Sequence, residues 1–411
     1  MSPPRVAIIG AGPAGLAAAD LLAGAGCRVD LYDRMPSAAR KLLMAGRGGL
    51  NLTHSEPFDR FLARYGAAAP HLEAALRDFP PQALRDYAAG LGEATFVGTS
   101  GRVFPESLKA SPLVRALLAR LGAHGAVFHP RHAWQGWTAD GTLRFATPDG
   151  EASVCADATI LALGGASWPR LGADGGFVPL LRAKGIAIAD FRPSNMGIRI
   201  GWSDHLRDRF AGAPLKRIAL AFAGTTVRGE AVITRDGLEG GAVYALSARL
   251  RDALASGPVR LCLDLRPDLE AAALAGRLAA ASSSLSFANR LRRAAGLAPA
   301  AISLLHEGRS ADPADGVTDA VKLAPGALAA RIKAVPLTVT GTQGLERAIS
   351  SAGGLAWNEL GADYAVTRLP GTFACGEMLD WEAPTGGYLL QACFATGRAA
   401  AKGALARLGL A

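Results

Sequence analysis

Three glycines at Gly10-x-Gly12-x-x-Gly15 stand between an apolar run, Val6 to Ile9, and an alanine-rich stretch to Ala23. A second apolar run, Arg28 to Tyr32, ends on Asp33. The chemistry of this spacing is diphosphate binding. Gly10 permits a tight turn, Gly12 lets backbone N–H groups approach a phosphate, and Gly15 lets helix and strand pack closely. The helix opening at Pro13 and Ala14 turns its positive end toward the same charge, and Asp33 is placed to accept hydrogen bonds from a ribose. The same glycines occur in ordinary turns, but the flanking strand, helix, second strand and terminal acid together read as a dinucleotide-binding βαβ unit.

Three further segments point at the same ligand. Arg34, Arg40, Lys41 and Arg47 follow Asp33 with no acid before Glu56, and Gly46, Gly48 and Asn51 belong to a glycine-rich loop that could wrap a diphosphate or a ring system. A solvated basic loop is the plainer reading of that quartet. Leu161-Ala-Leu-Gly164-Gly165 closes an apolar strand with glycines. Gly371-Thr-Phe-Ala-Cys-Gly376-Glu377 closes another, and Pro384-Thr385-Gly386-Gly387-Tyr388-Leu389-Leu390 opens a helix whose N-terminus would face a bound cofactor. His54 is the leading acid/base candidate, because imidazole changes protonation near neutral pH; a capping histidine is the rival reading. Tyr388 and Thr385 could each donate a hydrogen bond. Cys375, with no second cysteine near it in sequence, reads as a small core residue.

The elements that would position these residues form an α/β Rossmann-like domain made from both ends of the chain, 1–190 and 340–411. It is interrupted at 191–339 by a β-barrel-like and helical domain read as a substrate or cap module. A long helical stretch is expected from about Pro57 to Leu91. The 411 residues, half of them hydrophobic, suffice for two such domains. Five scattered cysteines suggest reduced thiols and a cytoplasmic setting, no zinc spacing is readable, and no run is long enough to span a bilayer. The net charge of +9 invites a polyanionic partner, although only seven of the 44 basic residues are lysine, which suggests a compositional bias toward arginine. Eight basic residues against three acids lie between Arg192 and Arg235, with Trp202 and Phe210 as possible stacking surfaces. A solvated β-domain face explains the same residues, and no RNA-binding motif supports more.

Taken together, the opening unit, the Ala-Leu-Gly-Gly-x-Ser-x-Pro element and the closing Gly-Glu-x-Leu-Asp with Pro-Thr-Gly-Gly-Tyr resemble the bacterial BaiN/RdsA-type flavoproteins, within the glutathione-reductase-like FAD superfamily. The likeness extends over the inserted segment, through Gly229 to Thr234 and Gly237 to Gly240. It implies FAD held without a covalent bond by Gly10, Gly12, Pro13, Ala14, Gly15, Asp33, Arg34, Lys41, Gly46, Arg47, Gly48, Asn51, Ala133, Gly164, Gly165, Gly376, Glu377, Gly386, Gly387, Tyr388, Leu389 and Leu390. Glu377 would face the ribityl hydroxyls, and NAD(P)H would visit as a transient reductant. The family is associated with reduction of unsaturated bonds, notably uridine in ribosomal RNA and, in one member, bile-acid intermediates. This chain departs from the family loop Gly-Arg-Cys-Asn-x-Thr-Asn, reading Gly48-Gly49-Leu50-Asn51-Leu52-Thr53-His54, and it has Leu389 where asparagine usually follows Gly-Gly-Tyr. The resulting expectation is an oxidoreductase acting on an unidentified small molecule. Ribosomal RNA dihydrouridine synthesis and a non-catalytic, sensory flavin protein are the alternatives. Oligomeric state is not readable.

Overall fold

The computed structural model describes residues 2–307 and 319–410, with the side chain of Arg47 outside the described part. The chain divides into two compact units, 1–192 with 350–411, and 193–349.

In the first unit β1 (Arg5–Ile9) is an uninterrupted apolar run, and Val6, Ala7, Ile8 and Ile9 are all buried, as a central parallel strand covered on both faces requires. It is followed by α1 (Pro13–Gly24) and β2 (Arg28–Asp33). Three more strands, β3 (Val127–Pro130), β4 (Ala158–Leu161) and β5 (Thr372–Ala374), complete a sheet of order β5-β4-β1-β2-β3 in which every pairing is parallel. The last strand comes from the far end of the chain. The C-terminal helix α2 (Tyr388–Arg407) lies against α1 through small residues: a Cβ on Gly397 would stand 2.2 Å from the Ala14 carbonyl oxygen.

The expected long helix after Pro57 is instead three helices, Phe58–Ala63, Ala69–Asp78 and Pro81–Ala89, separated by a short turn at Gly66 and by Phe79-Pro80. Gly66 takes a positive φ, and proline disfavours helical backbone at the residue before it.

The second unit is a closed six-stranded antiparallel barrel with helices. Its strands run Ile198–Ile200, Gly237–Glu239, Thr225–Thr234, Pro214–Phe222, Val259–Asp264 and Val335–Thr342, the last pairing back onto the first. The last strand continues past 339, and the unit ends at Ile349, ten residues beyond the boundary expected from sequence texture. Trp202, expected as a stacking surface, is a core residue whose indole N–H donates to the carbonyls of Thr234 and Gly237, each at 3.1 Å, and Phe210 packs against the same core.

Candidate functional site

The C-terminal ends of four neighbouring parallel strands in the first unit enclose a cavity of about 490 Å³. Ile9 to Ala14 come from the end of β1 and the turn after it, Tyr32 to Met35 from the end of β2 and beyond, Ala162 to Gly164 follow β4, and Cys375 to Glu377 follow β5. This crevice is where open α/β sheets bind ligands.

The glycines are fixed here for different reasons. Gly10 has φ +109°, and a Cβ on it would lie 2.1 Å from the Ala162 carbonyl oxygen. On Gly15 a Cβ would lie 1.9 Å from the Gly10 carbonyl oxygen. Those two glycines are needed by the fold. Gly12 is different: nothing stands within 4 Å of its would-be Cβ, and it caps the N-terminus of α1 without a side-chain hydrogen bond or an acid in the first turn. The space in front of Gly12 is therefore open to an anion, which the helix N-terminus attracts.

Asp33 lines the cavity with both carboxylate oxygens engaged, accepting the backbone N–H of Ala11 and of Met35 at 2.8 Å each. Burial pushes its carboxyl above the ordinary range, against the pull of those two N–H groups. Lys41 and Glu377, 336 residues apart, form an ion pair of 2.8 Å inside the cavity wall. The same ammonium donates to the Ser167 hydroxyl, and the other oxygen of Glu377 accepts the Ser351 N–H at 3.0 Å. Gly165 leaves room for this knot: a Cβ there would be 2.0 Å from Ser351 Oγ. Arg34 pairs with Asp174, and both line the cavity. Arg40 also lines it, with a buried Nε lacking a hydrogen-bond partner; the Trp134 Nε1 is in the same condition. Ser351 and Asp174 were not singled out in the sequence, since each matters through a partner far along the chain, Ser351 through Glu377 and Asp174 through Arg34.

Of the residues expected to hold a cofactor, Gly10, Gly12, Pro13, Ala14, Asp33, Arg34, Lys41, Ala133, Gly164, Gly376 and Glu377 line this one cavity. Gly15 and Gly165 stand behind it in the packing just described. Gly46 abuts Ala110, where a Cβ would be 2.7 Å from the alanine methyl, whereas Gly48 has open space. Asn51 keeps a buried Oδ1 without a partner. Leu389 and Leu390 pack on the core.

The short strand Thr53–His54 meets Gly387 and Tyr388 in a second cluster that does not line the cavity. A Cβ on Gly387 would stand 2.5 Å from Thr53 Cα, so the start of α2 rests on this strand. Thr385 precedes it, half-buried. His54 accepts the Glu56 N–H on Nδ1 at 3.1 Å, and its Nε2 faces the Ser100 carbonyl at 3.1 Å, so both ring nitrogens are engaged with the backbone. Its ring stacks on Tyr388 at 5.5 Å. The Tyr388 hydroxyl donates to Glu56, which also receives Arg64 on both oxygens at 3.0 and 2.8 Å. Burial, then Glu56, pushes the Tyr388 phenol above its ordinary range. Burial alone would raise Glu56, but the hydrogen bonds from Arg64 and Tyr388 hold it below the usual carboxylate range. Glu56 and Arg64 carry no motif, so sequence reading missed them.

Burial pushes the thiol of Cys393, on α2, up to about 12, and Cys375 is raised further for the same reason, so both are inert at neutral pH. Among the described residues no group of three or more His, Cys, Asp or Glu is placed to hold a metal, and no helix is long and apolar enough to cross a membrane.

The family model of the HI0933-like protein Rossmann domain matches residues 4–403. A 3-dehydro-bile acid delta(4,6)-reductase of Clostridium scindens is 26% identical over 98% of this chain and 99% of its own length. A ribosomal RNA dihydrouridine synthase of Escherichia coli is 26% identical over 97% of each chain. The solved 3-ketosteroid delta1-dehydrogenase of Sterolibacterium denitrificans shares the fold with a TM-score of 0.53 at 13% identity, over 99% of this chain and all of that one.

Proposed function

Because the chain belongs to the HI0933-like Rossmann family, we propose that it is an FAD-dependent oxidoreductase that reduces a carbon–carbon double bond in a small molecule, with NAD(P)H as the external reductant. The cavity at the strand ends carries this reading. Its residues fit the cofactor: the open face at Gly12 and the free N–H groups of α1 suit a diphosphate, Asp33 suits a ribose, and Arg40 and Lys41 supply positive charge. When bound, FAD supplies hydride transfer.

The chain's own groups would orient and protonate. The Lys41–Glu377 pair offers a charged hydrogen-bonding wall, and the residues expected near the flavin beyond the cavity, Gly46, Gly48, Asn51, Gly165 and Gly386 to Leu390, would shape the rest of the site. Of the three acid/base candidates, Tyr388 carries the proton in this reading. Its hydroxyl stays protonated at neutral pH with its hydrogen on Glu56, so donation to a substrate requires the O–H to turn away from that carboxylate, which Arg64 then keeps paired. His54 has both ring nitrogens on the backbone and serves as the stacking support for that phenol, with the Thr385 hydroxyl a second donor.

The names of both curated relatives denote saturation of a double bond conjugated to a carbonyl, in a bile acid or in a uracil ring. The small molecule is favoured here because Arg207 and Arg235 pair with Asp208, Arg228 pairs with Asp268, and Trp202 is in the barrel core, which weakens the basic, aromatic surface that RNA would use. The test is anaerobic: NADPH or NADH should bleach the visible flavin band, and a 3-oxo-4-ene steroid should restore it while uridine-containing ribosomal RNA does not. A protein that takes up no FAD would sink the reading. Bound FAD that no reductant bleaches would favour the sensory alternative, and reoxidation by RNA alone the dihydrouridine one.

A further inference from the structure

Resting on the FAD reading above, we propose that the segment 168–177 is a second cofactor-retaining element, fastened over the adenosine end of the cavity by the Arg34–Asp174 ion pair. The adenosine end is marked by Asp33. The strand Ala133–Trp137 begins there, since His132 N–H donates to the Asp33 carbonyl at 2.9 Å and Arg131 N–H to the Met35 carbonyl at 3.1 Å. The other wall of the same space comes from Leu171, Gly172, Ala173, Asp174 and Phe177. Phe177 is seated in the core, edge-on to Phe191, and two further contacts tie the segment across to the residues after β2. Gly172, with φ +112°, brings its backbone so close to Met35 that a Cβ would be 2.8 Å from Met35 Cγ. Asp174, 140 residues from Arg34 in sequence, takes the guanidinium on one oxygen and the Gly176 N–H on the other at 3.0 Å.

A purine base between Met35, Trp134 and Phe177 is a flat apolar ligand in a slot whose one side is this segment. For the base to leave, the segment must lift, and lifting it separates Arg34 from Asp174. Arg34 is thus a positioning residue that acts through Asp174, in place of the direct contact with the cofactor expected from its position after Asp33.

Asp174→Asn isolates the ion pair, because the amide oxygen can still accept the Gly176 N–H while the charge is lost. Both partners are partly exposed, at 41% and 34%, so the expected effect is small: the FAD dissociation rate, read from the fluorescence of released flavin, rises about two- to fivefold. Raising the salt concentration should speed release from the native protein by a larger factor than from the variant, which has only the diphosphate contacts left to screen. Arg34→Gln should speed release to the same extent as Asp174→Asn, and the two combined should add nothing further. Native rates in Asp174→Asn with FAD bound normally would overturn the latch alone. Failure of the native protein to bind FAD would overturn the cofactor reading beneath it. A larger salt effect on the release of FAD than on that of FMN from the native protein would place the effect at the adenosine end, as proposed; equal salt dependence for FMN would count against it.

Discussion

Gly12 separates a packing glycine from a ligand glycine. Its neighbours in the motif cannot carry a side chain because backbone stands within about 2 Å, whereas Gly12 has free space on its outer side. Gly12→Asp should therefore leave the thermal unfolding of the cofactor-free protein nearly unchanged. A carboxylate at about 4 Å from a diphosphate, in surroundings of effective dielectric about 20, costs roughly 4 kcal/mol, so titration calorimetry should show FAD affinity reduced by several hundredfold or more. Glu56 gives a second test at this scale. Its folded-state acidity is stronger than in the unfolded chain, so its contribution to stability is present above the unfolded value of about 4.5 and is lost as pH falls through the lower folded value. In denaturant titrations Glu56→Gln should be less stable than the native protein at pH 7, and the gap should narrow as pH is lowered below about 4.5. Arg64→Ala should narrow the same gap. A pH-independent difference would mean that the carboxylate is not what holds Tyr388.

The close approach of α1 and α2 decides whether the glycine turn faces the cavity at all, because the N-terminus of α1 is positioned by what packs behind it. Gly397 meets the Ala14 carbonyl, and Gly376 would place a Cβ 2.7 Å from the Ala14 methyl. Gly397→Ala should push the helices apart, lower stability by about 1–3 kcal/mol and weaken FAD binding by displacing the backbone of Ala14, a residue that lines the cavity. Gly24→Ala, at the end of α1 where nothing lies within 4 Å of the added methyl, should be neutral or stabilising by up to about 1 kcal/mol. Thermal melts of both variants check the contrast. At this scale the sequence was readable wherever a pattern is local: the continuous apolar β1, the glycine turn, β2 ending on its acid. The break of the 57–91 stretch was signalled by Gly66 and Pro80, yet the apolar spacing outweighed them. The long-range partners were not readable, because nothing near Thr53 in sequence announces that its hydroxyl meets Gln391, or that Gln391 reaches the Phe79 carbonyl.

Closure explains why the molecule can interrupt one fold with another. Sheet β5-β4-β1-β2-β3 needs a strand from the C-terminal part, so the intervening chain must return, and it returns as a barrel whose strands all have partners. The shift from continuous apolar runs to alternating ones near residue 192 was visible because parallel strands are covered on both faces and barrel strands on one. The second boundary was harder to see, since Val335–Thr342 alternates like a barrel strand before the glycine-rich texture resumes. The barrel unit has its own buried cluster, including Leu220, Ile233, Leu261, Leu263 and Leu337, while every residue lining the cavity belongs to the other unit. Residues 193–349 expressed alone should therefore unfold in a single cooperative transition and bind no FAD. The complementary chain, with 192 joined to 350 through a short flexible linker, should retain FAD, since all the cavity residues lie in it. A barrel fragment without a cooperative melt would show that its core depends on the rest of the chain; flavin lost from the joined fragment would show that the cavity residues alone do not hold the cofactor.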